Sequence, residues 1–198
     1  MSAEALRFTE IEHKYVVAAP FDLPRFRTTV AALGPIKAGT IQVRDRYYLT
    51  EGGEARHFLV RHRYDEELHH LTLKALEADT EVRVEVNLDL GHHAGDQEAQ
   101  VEAFMTRLGV LWSGTLTKQL EVWHFPDCEV VYYEASTAST SVCCVEFEAT
   151  RKESEAEALA IVERYERATG FATASRSRVS LPQIVFPDLT ETLARVRR

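Results

Sequence analysis

Charged and apolar residues alternate with a period of two through much of this chain. That is the pattern of strands with one face in each of two environments. Glu10, Glu12 and Lys14 share one face of the first such stretch, and Ile11 and Tyr15 share the other. Arg61 and Arg63 share a face with Leu59, and Thr72 and Lys74 oppose Leu71 and Leu73. Glu81, Arg83 and Glu85 oppose Val82, Val84 and Val86, while Glu146 and Glu148 oppose Val145 and Phe147. Strands are predicted near 7–17, 41–50, 56–64, 69–78, 80–90, 115–124, 129–136 and 143–150. Three stretches carry a helical period instead. Residues 22–33 start at an Asp22 cap and stop at Gly34-Pro35; residues 96–108 stripe Val101, Phe104, Met105 and Leu108 and stop at Gly109. Residues 154–169 stripe Ala158, Ile161, Val162 and Tyr165 and stop at Gly170. The Ser/Thr run 136–141 reads as a hairpin connection. The expected fold is α+β, an eight-stranded antiparallel β-barrel with helices packed outside, as a single domain over 1–198.

A sheet with one wet face would show the same alternation. Two features favour a tunnel. The charges are sorted by strand: carboxylate pairs on the first and last strands, Arg and Lys on the third and fourth. A merely solvated face tends to mix signs. The helices also need an apolar surface to cover. If they cover the apolar face of a closed barrel, the charged face becomes the lumen.

That lumen would hold six carboxylates and six cations: Glu10, Glu12, Glu81, Glu85, Glu146 and Glu148 against Lys14, Arg61, Arg63, Lys74, Arg83 and Lys118. Buried charges need partners. Carboxylate oxygens suit Mg²⁺ or Mn²⁺, and Arg forks and Lys ammonium groups suit phosphate oxygens. A triphosphate arriving with a divalent cation satisfies both sets.

Composition narrows the partners. With 23 Lys and Arg against 31 Asp and Glu, the net charge is −8. This disfavours duplex nucleic acid and anionic membranes, but it does not fix the sign of a local pocket. No apolar run reaches membrane-spanning length, MSAEALRF does not resemble a secretory leader, and Cys128, Cys143 and Cys144 form no disulfide framework. A cytoplasmic protein, monomer or homodimer, is expected. The pairs His69-His70 and His92-His93 read as solvated turn residues, Trp112 and Trp123 as helix–barrel packing, and Cys143-Cys144 as core and edge positions.

The ordered set of charged motifs resembles the CYTH superfamily, the triphosphate tunnel metalloenzymes. The residues that carry the likeness are Glu10-x-Glu12-x-Lys14, Gln42, Asp45-x-Tyr47-Tyr48, Arg61-x-Arg63, Thr72-x-Lys74, Glu81-x-Arg83-x-Glu85, Leu108-Gly109, Lys118 and Glu146-x-Glu148, spanning about 8–180. The resemblance implies a tunnel that hydrolyses tripolyphosphate, thiamine triphosphate or nucleoside triphosphates, or cyclises ATP to cyclic AMP, with Mg²⁺ or Mn²⁺. It implies that Glu10, Glu12, Glu146 and Glu148 hold metal. Lys14, Arg61, Arg63, Lys74, Arg83 and Lys118 would hold phosphate, with Arg176 of Ser175-Arg176-Ser177-Arg178 closing one mouth. Glu85, Glu148 and Lys74 would act on the reacting groups. The chain departs from the family pattern in three places. Leu120 stands where an Arg is usual, the inward acid of the seventh strand is either Glu134 or replaced by a Tyr, and the Ser-Tyr pair near the C-terminus is absent.

The leading expectation is a metal-dependent triphosphatase. The alternatives are an adenylyl cyclase, a non-catalytic polyphosphate or nucleotide binder, and a carrier of a small apolar ligand. The last requires a lumen lined by Val82, Val84 and Phe147. Asp45 and Tyr47 fit either a tunnel mouth or the cap of a strand pair.

Overall fold

The computed structural model describes residues 8–18, 20–76, 82–150 and 153–196. Eight antiparallel strands form a closed barrel in the order β1-β5-β4-β3-β2-β6-β7-β8. They are β1 (Phe8–Val17), β2 (Lys37–Thr50), β3 (Phe58–Tyr64), β4 (His69–Ala75), β5 (Val82–Asp89), β6 (Val110–His124), β7 (Cys128–Ser136) and β8 (Ser141–Ala149). β1 closes the ring by pairing twice: Phe8 to Ile11 with β5, then Glu12 to Val17 with β8.

The helices are α1 (Leu23–Ala32), α2 (Glu51–Ala55), α3 (Glu98–Arg107), α4 (Glu155–Thr169), α5 (Leu181–Val185) and α6 (Pro187–Val196). Their ends follow local chemistry. Asp22 accepts the Arg25 N–H at 3.0 Å and Ser154 accepts the Glu157 N–H at 3.2 Å, so each caps a first turn. Gly170 ends α4 in the left-handed region at φ 84°, where only glycine is unstrained.

The apolar strand faces point outward beneath these helices. Ala158, Ile161 and Val162 of α4 pack on Ile11, Val130, Val145 and Phe147. Val101 and Met105 of α3 pack on Tyr48 and Val60. Each buried Ile, Val, Met or Phe among these contributes about 1.5–3 kcal/mol. With Phe147 under α4, the apolar-carrier reading loses a residue it required inside.

The last two helices have a different task. Leu181, Val185, Phe186 and Leu189 cluster with Leu49, Leu59, Trp112 and Leu116 and close one end of the barrel with an apolar plug. Trp112 meets Phe186 edge-on at 5.0 Å and donates to Asp188 at 2.7 Å. Trp123 meets Phe26 edge-on at 5.8 Å. Both tryptophans pack between helix and barrel, as expected.

Three helices were not predicted. α2 contains Gly52-Gly53, poor helix formers, and is held by the Gly53 N–H donating to Thr50 Oγ1 at 3.0 Å. α5 and α6 begin around Pro182 and Pro187, residues tolerated only in a first helical turn. β2 and β6 also extend beyond their predicted starts, over stretches without charge alternation, and pair almost end to end. The expectation for His69 is corrected: its side chain is buried, with Nε2 3.2 Å from His62 Nε2. The β3–β4 turn is short, so His69 already lies within the strand and takes an outward, covered position.

Candidate active site

The inward phase of the strands gathers the charged residues. Glu12, Lys14, Arg61, Arg63, Lys74, Lys118, Glu146 and Glu148 line one cavity of about 130 Å³. That is well above the roughly 10–15 Å³ one water requires. Ser180, Leu181 and Pro182 form its wall on the plugged side, and Leu59, Leu76, Leu120 and Val131 supply apolar surface. Glu81 lies outside the described residues, as do the side chains of Glu10 and Arg83. The backbone places Glu10 directly opposite Arg83.

One wall is acidic. Glu12 pairs with Glu148 across β1 and β8, and Glu148 pairs with Glu129 across β8 and β7. Three carboxylates therefore occupy one rung. Glu129 also lies 2.8 Å from His124 Nδ1. Burial holds the Glu129 carboxyl above its usual range despite the neighbouring His124. On the next rung Lys14 Nζ sits 3.4 Å from Glu12 Oε1 and 3.2 Å from Glu146 Oε1. Tyr133 donates to Glu146 at 2.6 Å, and its hydroxyl is held well above the usual range, chiefly by burial and then by the Glu146 charge.

The opposite wall is basic. Arg61 donates to Thr72 Oγ1 at 3.2 Å, and its Nε is buried without a hydrogen-bond partner. Lys74 is ion-paired with Glu85 on the adjacent strand. Arg63 grips Asp45 at 2.7 Å and 2.8 Å, and Lys118 lies 3.3 Å from the same carboxylate. Burial alone would raise the Asp45 pKa, but Arg63, Lys118 and Arg61 hold it well below the usual carboxylate range. Burial lowers the Lys118 pKa, against the pull of Asp45.

The spacing of the sequence leaves Asp45 and the inward residue of the seventh strand open, and the structure fills both. Asp45 is neither a mouth nor a cap residue but a buried anchor for two cations. Within Val131-Tyr132-Tyr133-Glu134 the aromatic residue that points inward is Tyr133, which donates to Glu146, whereas Glu134 points out and accepts from Ser141 at 2.8 Å. Glu129 lines the cavity and was not predicted. Its signal was phase: it is two and four residues from Val131 and Tyr133 on the same face. Leu120 does line the cavity.

Arg176 does not join the site as expected. It pairs on the outside of the barrel with Glu166 at 3.1 Å and Glu163 at 3.6 Å. The reason is the phase of β1: His13, which meets Arg176, points away from the lumen.

The donor set fits a hard divalent cation. Glu12, Glu146 and Glu148 are oxygen donors on adjacent strands, and a cation, the Lys14 ammonium, already occupies the space between two of them. Among the described residues no group of three or more His, Cys, Asp or Glu is drawn together as a complete metal cage.

The CYTH domain family model matches residues 9–179. The chain belongs to the CYTH family. Solved structures share the fold of this CYTH chain. The PH1012 protein of Pyrococcus horikoshii superposes with a TM-score of 0.70 at 17% identity, covering 89% of this chain and 99% of its own. A putative adenylate cyclase from Bacillus halodurans gives 0.63 at 18%, covering 91% and 99%. A Hippeastrum protein, a putative adenylyl cyclase described as having a dominant triphosphatase activity, gives 0.53 at 15%, covering 82% and 88%. No curated protein is a significant match to the chain. No helix among the described residues is long and apolar enough to cross a membrane.

Proposed function

We propose that this CYTH chain is a divalent-metal-dependent hydrolase of a small triphosphate: tripolyphosphate, thiamine triphosphate or a nucleoside triphosphate. One observation carries the reading. An acidic wall of Glu12, Glu146 and Glu148 faces a basic wall of Arg61, Arg63, Lys74 and Lys118 across a single closed-ended cavity. A metal-bound polyanion complements both walls; neither a bare anion nor a bare cation does.

Phosphoryl transfer asks the protein for positioning and charge neutralisation. Arg61 offers its unpartnered Nε to a phosphate oxygen, and Lys74, steered by Glu85, offers its ammonium. Lys14 and Arg83 would extend the same grip. Arg63 and Lys118, fixed by Asp45, supply positive field without having to move. Glu12, Glu146 and Glu148, with Glu10, would hold Mg²⁺ or Mn²⁺. Such an ion polarises phosphate oxygens and lowers the pKa of bound water. Glu148 would accept a proton from the attacking water.

The test is phosphate release from tripolyphosphate, thiamine triphosphate and ATP, each with Mg²⁺ and Mn²⁺, with cyclic AMP measured in parallel. Metal-dependent phosphate release supports the proposal. Cyclic AMP and pyrophosphate from ATP would move the chain to the cyclase class named for the Bacillus halodurans protein. Tight binding without turnover of any of the three would leave a binding protein and overturn the hydrolase reading.

A further inference from the structure

The residues that expel Arg176 from the tunnel form a buried network of their own. His13 sits on β1 between Glu12 and Lys14 and points to the opposite face. Its Nδ1 is 2.6 Å from Glu166 Oε1 of α4, and its Nε2 is 3.2 Å from Arg176 Nη1. Arg176 Nη2 donates to Glu166 Oε2 at 3.1 Å. A guanidinium can only donate, so His13 Nε2 accepts and Nδ1–H donates to Glu166. One imidazole tautomer is thus locked between two partners. His13 and Glu166 are each 1% exposed.

The backbone beside Arg176 is tied to the same strand. Ser177 N–H donates to the Lys14 carbonyl at 2.7 Å, an isolated antiparallel bridge. Among the described residues, β5 pairs with β1 from Phe8 to Ile11. Lys14 pairs with Glu146 of β8 across the barrel wall, so its backbone is held by both β8 and the Ser177 bridge. Three residues further, Ser180, Leu181 and Pro182 line the cavity.

We infer that Arg176, acting through His13 and Glu166, is a positioning residue that fastens the 176–182 strap to β1 and so sets both Lys14 and the Leu181–Pro182 wall. A buried ionic cluster adds little net stability over apolar packing, whereas it can fix register. Here the register fixed is that of a lumen-lining lysine against the segment that closes the lumen. The inference rests on the proposed triphosphate hydrolysis only for its kinetic readout.

The experiment compares Arg176→Met, Arg176→Lys, Glu166→Gln and the double variant Arg176→Met/Glu166→Gln in the full chain. Two quantities are measured: amide hydrogen exchange at Ser177, and kcat and KM for tripolyphosphate, thiamine triphosphate or ATP, whichever the parent hydrolyses. Arg176→Met and Glu166→Gln should each speed Ser177 exchange about tenfold or more, since the bridge then opens locally. Each should lower kcat by about tenfold with KM changed less than about threefold. The double variant should be no worse than the worse single, because the residues act as one unit. Arg176→Lys should restore part of the Ser177 protection. Unchanged Ser177 exchange, a loss confined to KM, or additive losses would overturn the inference. If Arg176→Met does not fold, Glu166→Gln and Arg176→Lys decide by the same criteria. If no triphosphate is hydrolysed, the exchange rates at Ser177 still decide whether the strap exists.

Discussion

Asp45 on β2 and Arg63 on β3 stand directly opposite each other and bond fork to fork, at 2.7 Å and 2.8 Å. Lys118 reaches the same carboxylate from β6 at 3.3 Å. Asp45 is 0% exposed. One carboxylate therefore holds two inward cations in place before any substrate arrives. The basic wall is preorganised, and the mutual repulsion of its charges is offset locally.

Asp45→Asn should therefore destabilise the fold by about 3–5 kcal/mol, because it leaves Arg63 and Lys118 buried without their counter-charge. Urea denaturation measures it, and a loss below about 1 kcal/mol would contradict the anchoring role. The pH dependence has a defined sign. The Asp45 pKa is depressed in the folded state. Its stabilisation is fully present above the ordinary Asp value of 3.8 and is lost as pH falls from there toward the folded value. Asp45→Asn should flatten that acidic limb of the stability profile.

Glu12→Ala and Lys74→Met should each cut triphosphate turnover by at least about 100-fold, the scale for removing a charge from a preorganised phosphoryl-transfer site. Far-UV circular dichroism should be unchanged. Chelation of divalent metal should abolish the parent's activity and metal addition should restore it. Undiminished hydrolysis in Glu12→Ala would sink the metal-wall reading.

Gly114 marks where the plug meets the barrel. A Cβ there would lie 2.6 Å from Trp112 and 2.8 Å from Phe186, both ring atoms packed against each other. Gly114→Ala should cost about 1–3 kcal/mol by overpacking. Its fluorescence should show Trp112 shifted toward a wetter environment. A variant as stable as the parent would mean the plug can move aside.

The barrel was legible because its charges obey a period of two. Glu146 and Glu148 against Val145 and Phe147 state which face is which without any coordinates. β2 resisted the same treatment. Arg44 and Arg46 flank Asp45 and point outward, to Glu98 and Glu102. Both faces of that strand are therefore charged, and only the register with Arg63 reveals Asp45 as an anchor. Glu129 is the second residue of its strand and acquires meaning only through its pairing with Glu148. Arg176 lies 163 residues from His13, and no local pattern in Ser175-Arg176-Ser177-Arg178 discloses a partner so distant. Of the C-terminal helices, α5 spans only five residues, too few to show a period, whereas Leu189 and Leu193 of α6 stand at helical spacing and carry a signal that the charge pattern of the strands overshadowed.

Leu120 offers the sharpest test of what the tunnel selects. It pairs with Tyr133 on β7 and Ile41 on β2, and it lines the cavity beside Val131. Leu120→Arg would place a guanidinium in a wall with no carboxylate assigned to it. Empty, the variant should be less stable than the parent, since it adds a partly buried cation beside Lys118 in the basic wall. Tripolyphosphate supplies the missing counter-charge. Its addition should raise the melting temperature more in the variant than in the parent, by binding linkage. The KM for tripolyphosphate should also fall, while any substrate whose organic group rests on the Leu120–Val131 surface should lose affinity. A tripolyphosphate-induced shift no larger than the parent's would show that position 120 does not face the bound phosphate chain.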